Sequence, residues 1–190
     1  MDLQGYFKIS RRKHAVIFVT GLIILVIVVG TVFQESAVKM EPTGFSIFDF
    51  QEAWTKQRSD QILSAWSNIM GVVLSQTYWD FFFILGNVLL SLGILGLLGN
   101  ILKNKSSKKL ALLGIGVSIF GGLCDAIENI WTILILSNPS NYPEVWIQLV
   151  SFFAQIKFIF SYFKYGIILC VKVLVILEKI NGGKKSQNKM

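Results

Sequence analysis

Charged residues are scarce in this sequence, and histidine, cysteine and proline are rarer still. Only 15% of the 190 residues are charged, and the chain has one histidine, two cysteines and three prolines. A single histidine, His14, cannot build a multi-histidine metal centre. Cys124 and Cys170 lie far apart and form no CxxC motif, which argues against a dithiol redox site or a zinc site. The sequence also has no P-loop, GxSxG or HExxH pattern, so we predict neither a metal nor a cofactor.

Apolar residues, in contrast, make up 53% of the chain and are concentrated in four blocks. A transmembrane helix needs about 20 predominantly apolar residues to cross the roughly 30 Å hydrocarbon core of a bilayer. Each of the blocks meets this requirement, and the predicted spans are 15–33, 81–102, 110–136 and 145–177. The sequence therefore predicts an all-α integral membrane protein, an antiparallel four-helix transmembrane bundle in a single membrane domain, 1–190.

The distribution of the net charge of +7 predicts how the chain crosses the membrane. Basic residues cluster before the first span, between the second and third spans, and after the fourth, whereas the segments 34–78 and 137–144 are poor in Lys and Arg. Cytoplasmic loops of membrane proteins carry such an excess of basic residues. We therefore expect both termini in the cytoplasm, segment 34–78 outside the cell, and a disordered cytoplasmic tail at 179–190. Because lysines in these positions contact anionic headgroups, we expect membrane lipids and not nucleic acid as partners.

The outer segment 34–78 is too apolar to be a simple loop. Its first half is rich in aromatic residues, and apolar residues then recur at helical spacing, at Ile62, Trp66, Ile69, Met70 and Val73. Thr55 and Ser59 are both suited to cap the N-terminus of this helix. The pattern predicts an amphipathic outer helix, which either covers the end of the bundle or lies in the lipid interface.

The third span carries a continuous polar face. Residues spaced by four, three, four and three positions share it: Gly114, Ser118, Gly121, Asp125 and Glu128. Asn129 borders the same face. A charged side chain at the centre of a bilayer costs roughly 2.5–3.5 kcal/mol on insertion scales. We therefore expect these carboxylates to point inward, toward a partner or water.

The expected partner is Lys157 in the fourth span. Asp125 and Lys157 each lie twelve residues from the outer end of their span, so at ~1.5 Å per residue both are roughly 18 Å deep. We expect these two residues to pair and Glu128 to have no lysine at its own height. Lys164 and Lys172 are closer to the inner interface and are expected to extend their ammonium groups toward it.

The second span adds Asp80 and Asn87, with Asn87 expected at the height of Glu128. The candidate ligand-binding residues are therefore Asp80, Asn87, Asp125, Glu128, Asn129 and Lys157.

Three functions are compatible with this polar set. The first is an intramembrane site in the outer half of the bundle that binds a small amphiphile, a lipid or a cation. The second is an accessory or structural membrane subunit, whose buried charges only pair to hold the helices together and which would have a partner membrane subunit. The third is an enzyme that uses Asp125 or Glu128 as a general acid or base on a lipid-like substrate. We prefer ligand binding, because ionisable residues inside membranes commonly mark functional sites and three acids exceed what one deep lysine can neutralise.

The same regions carry a family resemblance over roughly the middle half of the chain. Three segments resemble a set of uncharacterised bacterial four-span membrane proteins: Trp54 to Trp66, the Asp80-Phe81-Phe82-Phe83 start of the second span, and the D-x-x-E-N motif Asp125-Ala126-Ile127-Glu128-Asn129. The resemblance implies a four-span fold, and this family has no established activity. The chain departs from the pattern at Asn87, near which a tyrosine is expected.

Single cysteines in the loops test the predicted topology. In a cysteine-free background, cysteines at Ser46 and Ser140 should react with a membrane-impermeant thiol reagent added to intact cells. Cysteines at Ser106 and Ser186 should react only after the cells are lysed. The reversed labelling pattern would place segment 34–78 in the cytoplasm and overturn the orientation.

Overall fold

The computed structural model describes residues 5–187, and these residues form helices joined by short loops, with no β-strand among them. After a 3-10 turn, Tyr6–Lys8, the first long helical stretch begins with Ser10 as its cap, since the Ser10 side chain accepts a hydrogen bond from the Lys13 N–H. The stretch consists of α1 (Arg11–Val28), a π-helical segment (Val29–Phe33), α2 (Gln34–Met40) and a 3-10 turn (Glu41–Thr43).

Two short helices, α3 (Ile47–Gln51) and α4 (Lys56–Ala65), precede three long ones. The long helices are α5 (Met70–Gly99), α6 (Lys105–Ser137) and α7 (Glu144–Gln187). Within the described residues, four helices are long and apolar enough to cross a membrane: Arg11–Thr43, Met70–Gly99, Lys105–Ser137 and Glu144–Asn181. The prediction of a helical protein with four helices long and apolar enough to span a membrane is confirmed for the described residues.

The long helices pack in chain order, α1 along α5, α5 along α6, and α6 along α7. The short helices α3 and α4 lie over one end of this assembly, which we call the covered end. There Phe50, Ile62 and Trp66 are fully buried, together with Val73 at the start of α5 and Ile147 at the start of α7. The amphipathic segment thus buries its apolar face against the long helices.

The helix boundaries differ from the predicted spans at several points. The first helical stretch continues to Thr43 and not only to residue 33, and the third long helix begins at Lys105 and not at residue 110. The second long helix begins at Met70 and not at Phe81, because its first turns bury Val73 under α3 and α4. The helical pattern from Ile62 to Val73 is therefore divided between α4 and α5, with a break after Trp66. Apolar residues that are buried under α3 and α4 and apolar residues that face a bilayer give the same sequence pattern, so the sequence alone does not show where this helix begins.

The prediction of a disordered tail at 179–190 is also wrong for most of this segment. Helix α7 continues to Gln187, and residues 188–190 lie outside the described part of the chain. No proline interrupts this segment, and lysines near a helix C-terminus interact favourably with the helix dipole.

Side-chain caps determine where α3 and α4 begin. Thr55 caps α4, as predicted, by accepting a hydrogen bond from the Arg58 N–H, whereas the alternative cap Ser59 is buried inside that helix. Ser46 caps α3 in a reciprocal arrangement with Asp49. The Ser46 hydroxyl and backbone N–H donate to the Asp49 carboxylate at 2.6 and 2.7 Å and hold the pKa of Asp49 below its ordinary value. Asp49 therefore carries a negative charge at neutral pH.

Glycines allow α1 and α5 to approach closely. A Cβ atom on Gly21 would lie 2.4 Å from the Leu90 backbone nitrogen, and one on Gly93 would lie 2.5 Å from the Phe18 Cα. Both contacts are with backbone atoms, so relief would require the helices to separate. The small residues in these helices therefore form a packing surface, as is common in membrane helices.

Replacing Gly93 with alanine should lower the thermal stability of the detergent-solubilised protein, because overpacking of a well-packed contact costs about 1–3 kcal/mol. Gly116→Ala is the matched control, since a Cβ atom at Gly116 meets nothing within 4 Å. That variant should be neutral or slightly more stable. Equal melting temperatures for the two variants would mean that α1 and α5 are not in close contact.

Candidate functional site

All six predicted site residues line one cavity near the covered end, with a volume of about 1030 Å³. Its walls come from the first long helical stretch and from α3, α5, α6 and α7. The site residues in these walls are Asp80, Asn87, Asp125, Glu128, Asn129 and Lys157. The structure therefore brings together residues that are up to 77 positions apart in the sequence.

Lys157 bonds two carboxylates of α6. Its Nζ lies 2.7 Å from Asp125 Oδ1 and also donates a hydrogen bond to Glu128 Oε2. We call Asp125, Glu128 and Lys157 the carboxylate–lysine cluster. The pairing of Asp125 with Lys157 agrees with the sequence prediction. The prediction that Glu128 has no lysine at its height is wrong, because the two carboxylates are one helical turn apart and one ammonium group reaches both.

Glu128 is fully buried, and its carboxylate is bonded to three side chains. In addition to Lys157, the Gln51 Nε2 lies 3.2 Å from both carboxylate oxygens, and the Thr132 Oγ1 donates to Oε1 at 3.2 Å. Gln51 is the last residue of α3, so this contact ties the covering helices to α6. Sequence analysis missed Gln51 and Thr132, since neither position shows a signal that connects it with Glu128.

Asp80 faces the same cavity from α5 and is held differently. Its Oδ2 accepts a hydrogen bond from Asn129 Nδ2 at 2.7 Å. Among the described side chains, those of residues 5–181, no lysine or arginine nitrogen lies within 4.0 Å of the Asp80 carboxylate. Of the three carboxylates that α5 and α6 contribute to the cavity, Asp80 is therefore the one without a direct ion pair, and Glu41 and Asp49 line the cavity at its covered end.

Asn87 lies deeper than predicted, and so does the lysine that it contacts. Asn87 Oδ1 accepts a hydrogen bond from Lys164 Nζ at 2.9 Å, so Asn87 lies level with Lys164 and not with Glu128. Lys164 is 4% exposed, which contradicts the expectation that it extends to the inner interface. A buried ammonium is costly without a partner, and the Asn87 side chain supplies one. Lys172, in contrast, is exposed as predicted.

The other half of the cavity is aromatic. Phe33 packs against Phe83 with ring centroids 5.3 Å apart, and Phe48 packs against Phe158 at 6.1 Å. Tyr162 of α7 also lines the cavity, although 76% of its surface is exposed. None of these aromatic residues was predicted to belong to the site, because aromatic residues are common throughout this sequence.

The turn before α3 and the loop after it hold the cover of the cavity in place. Gly44 has a φ of 75°, a left-handed conformation that glycine adopts readily, and it turns the chain from the first long stretch toward α3. After α3, the Trp54 backbone N–H donates to Ser151 Oγ of α7 at 3.0 Å. With the bond from Gln51 to Glu128, these features position α3 above the carboxylate–lysine cluster.

The donor set of this site does not resemble a metal centre. Among the described residues, no group of three or more His, Cys, Asp or Glu side chains is arranged to hold a metal ion. The cluster instead contains its own cation, the ammonium group of Lys157.

Comparisons with known proteins give no relative for this chain. No protein-family profile, curated protein or solved structure matches it.

Replacing Lys157 with methionine should strongly destabilise the protein, because two buried carboxylates lose their cation. Breaking one buried ion pair costs about 3–5 kcal/mol in soluble proteins. Adding Asp125→Asn should recover part of the loss, and adding Glu128→Gln as well should recover most of it. The measurement is the melting temperature of each purified variant in the same detergent.

Lys172→Met provides the control, since Lys172 is an exposed lysine of the same helix. Its melting temperature should stay close to that of the wild type. A triple variant no more stable than Lys157→Met alone would show that the cluster does not act as one charge-paired unit.

Proposed function

We propose that this chain is an antiparallel four-helix bundle that spans the cell membrane and binds a small amphiphile in its cavity near the covered end. In this proposal both termini lie in the cytoplasm and the covered end faces outward. The polar head of the ligand contacts the carboxylates, and its apolar chain lies along the aromatic wall. Membership of the uncharacterised bacterial four-span family with the D-x-x-E-N motif belongs to the same proposal.

The observation that carries the proposal is the composition of the cavity that the six predicted site residues line. One side presents the carboxylate–lysine cluster with Asp80, and the other presents Phe33, Phe83, Phe48 and Phe158. Its volume of about 1030 Å³ is at the upper end of the ~300–1,000 Å³ range of pockets that hold small molecules. An amphiphile satisfies both halves at once, whereas an inorganic cation would leave the aromatic half unfilled.

Exposed residues in the cavity wall support entry from the bilayer. Val38, Phe48, Tyr162 and Tyr165 line the cavity and are 62%, 58%, 76% and 56% exposed, respectively. These residues therefore form the rim of an opening between the first long stretch and α7. In a membrane, side chains of this kind contact lipid, so an apolar chain can pass from the bilayer into the cavity without crossing water.

The charges of the cavity favour a ligand head that donates hydrogen bonds or carries a positive charge. Lys157 donates to both Asp125 and Glu128. Asp80 has no ion pair of this kind and accepts a hydrogen bond from the neutral side chain of Asn129. A buried carboxylate is stabilised by an opposite charge or by donors. A cationic head provides both, and Asp80 is the residue that we expect to contact it.

The structural-subunit function is the alternative, and one observation favours it. Lys157 contacts two carboxylates and Glu128 is also bonded to Gln51 and Thr132, which is the pattern of a charge-paired assembly contact. The structural-subunit function accounts for the carboxylate–lysine cluster, but it gives no role to Asp80 or to the cavity. The enzyme hypothesis has less support, because Asp125 and Glu128 are both occupied by Lys157.

Two amphiphiles with the same chain test the proposal: dodecylamine, with a cationic head, and dodecanol, with a neutral one. Binding is measured as the rise in melting temperature of the protein in phosphatidylcholine nanodiscs, since a ligand that binds only the folded state stabilises by about 2.7 kcal/mol at a hundred times its Kd. We expect dodecylamine to stabilise the wild type more than dodecanol does. Asp80→Asn should remove this difference without unfolding the protein.

Glu35→Gln is the charge-matched control, because Glu35 is exposed and pairs with Lys39 outside the cavity lining. It should keep the preference for dodecylamine. If neither amphiphile stabilises the wild type up to the amount that the bilayer accepts, the amphiphile site is ruled out and the structural-subunit function remains.

A further inference from the structure

A second, much smaller cavity adjoins the first on the side away from the covered end. Its volume is about 20 Å³, and we call it the inner chamber. Its polar lining comes from α5, α6 and α7 and consists of Asn87, Ser118, Asp125, Ser161 and Lys164. Asn87, Asp125 and Ser161 line both cavities, so the chamber is a continuation of the candidate site.

Two groups in the chamber wall have polar atoms that the protein does not satisfy. Ser118 is 5% exposed, and its Oγ makes no hydrogen bond. Lys164 donates to Asn87 Oδ1, and no carboxylate oxygen among residues 5–187 lies within 4.0 Å of its Nζ. An ammonium group has three donors, and buried polar groups in proteins are nearly always hydrogen-bonded to protein or to ordered water.

We propose that the inner chamber holds one ordered water molecule, which links Lys164 to Asp125 and makes Lys164 part of the binding site. A buried water needs a cavity of roughly 10–15 Å³ and two to four polar partners. The chamber has a volume of about 20 Å³, and Ser118, Ser161, Lys164 and Asp125 supply the partners. The ammonium group in the wall repels a metal cation, which leaves water as the occupant that fits.

This link has a consequence for the ligand, and here the inference rests on the proposed function. Asp125 then interacts with two cations, Lys157 directly and Lys164 through water. Among the charged groups that the long helices contribute to the two cavities, which are Asp80, Asp125, Glu128, Lys157 and Lys164, the formal charges leave one unbalanced negative charge. Glu41 and Asp49 line the large cavity at the covered end and make it more negative. The site therefore favours a cationic amphiphile, and Lys164 is a positioning residue that lowers the negative charge of the site by one without contacting the ligand.

The water itself can be tested without any ligand. Ser118→Ala removes a hydrogen-bond partner of the water and should lower the melting temperature. In a dry chamber the same change would remove an unpartnered buried hydroxyl and raise the melting temperature, which would overturn the inference. Because a hydrated chamber and a dry chamber predict opposite changes in melting temperature, this variant distinguishes between them.

Radiolytic labelling provides a second readout for the water. Hydroxyl radicals generated from a chamber water should modify Phe160, which lines the inner chamber and not the large cavity. Ser118→Val fills the chamber, so it should displace the water, lower the labelling of Phe160 and reduce stability. Unchanged labelling together with a higher melting temperature would show that the chamber was dry.

The charge role of Lys164 is tested with dodecylamine and N-dodecyl-1,3-diaminopropane, which carry one and two positive charges. In nanodiscs, Lys164→Met should shift the affinity ratio of the two toward the diamine by tenfold or more, since the site loses one positive charge. Lys164→Arg keeps the charge and should keep the wild-type ratio, as should Lys172→Met at an exposed position.

The outcomes separate this inference from the proposed function. If the wild type binds dodecylamine and Lys164→Met leaves the ratio unchanged, Lys164 is not part of the site and the inference is overturned. If no variant binds either amine, the proposed function fails, whereas the Ser118 results still decide whether the chamber holds water.

Discussion

The ammonium group of Lys157 holds together two helices and, indirectly, the cover above them. Charges inside a membrane are costly unless they are paired, so the carboxylates of Asp125 and Glu128 require a cation close to both. Lys157 meets this requirement only when α6 and α7 lie side by side at one relative height. Because Glu128 is also bonded to Gln51 at the end of α3, the same cluster determines where the covering helices lie.

The cavity results from this arrangement together with the contact between α1 and α5. Glycines bring α1 against α5, and the ion pairs bring α7 against α6, so α1 and α7 lie at the two sides of the assembly. The first long stretch continues past the π-helical segment toward the covered end, where its residues line the cavity opposite α7. The space between them is polar where α6 provides the wall and aromatic where the wall is formed by Phe33, Phe48 and Phe158. The carboxylate–lysine cluster and the cavity are thus adjacent parts of one structure.

Sequence reasoning predicted the features that follow from one helix at a time. Glu128 and Asp125 share a face because of helical periodicity, and the level of Lys157 follows from counting residues along two spans. It could not predict Gln51, whose contact with Glu128 depends on how a loop folds back over 77 positions. Sequence reasoning also placed the Lys164 ammonium group at the inner interface, which is wrong. A lysine side chain can extend toward either end of its helix, and its contact with Asn87 becomes known only once α5 and α7 are packed together. The aromatic wall was missed for a similar reason, since aromatic residues that line a cavity and those that face lipid occur in the same kind of sequence.

The π-helical segment Val29–Phe33 has a consequence for how this protein tolerates changes in length. A π turn contains one residue more than an α turn, and one residue corresponds to about 100° of rotation around a helix axis. Residues before the segment, such as Phe18, face α5, and residues after it, such as Val38, face the cavity. Deleting a single residue here would convert the turn to ordinary α-helix and rotate Val38 away from the opening while Phe18 stayed in place. Segment 29–33 is thus where a change of one residue would alter access to the cavity without disturbing the contact of α1 with α5.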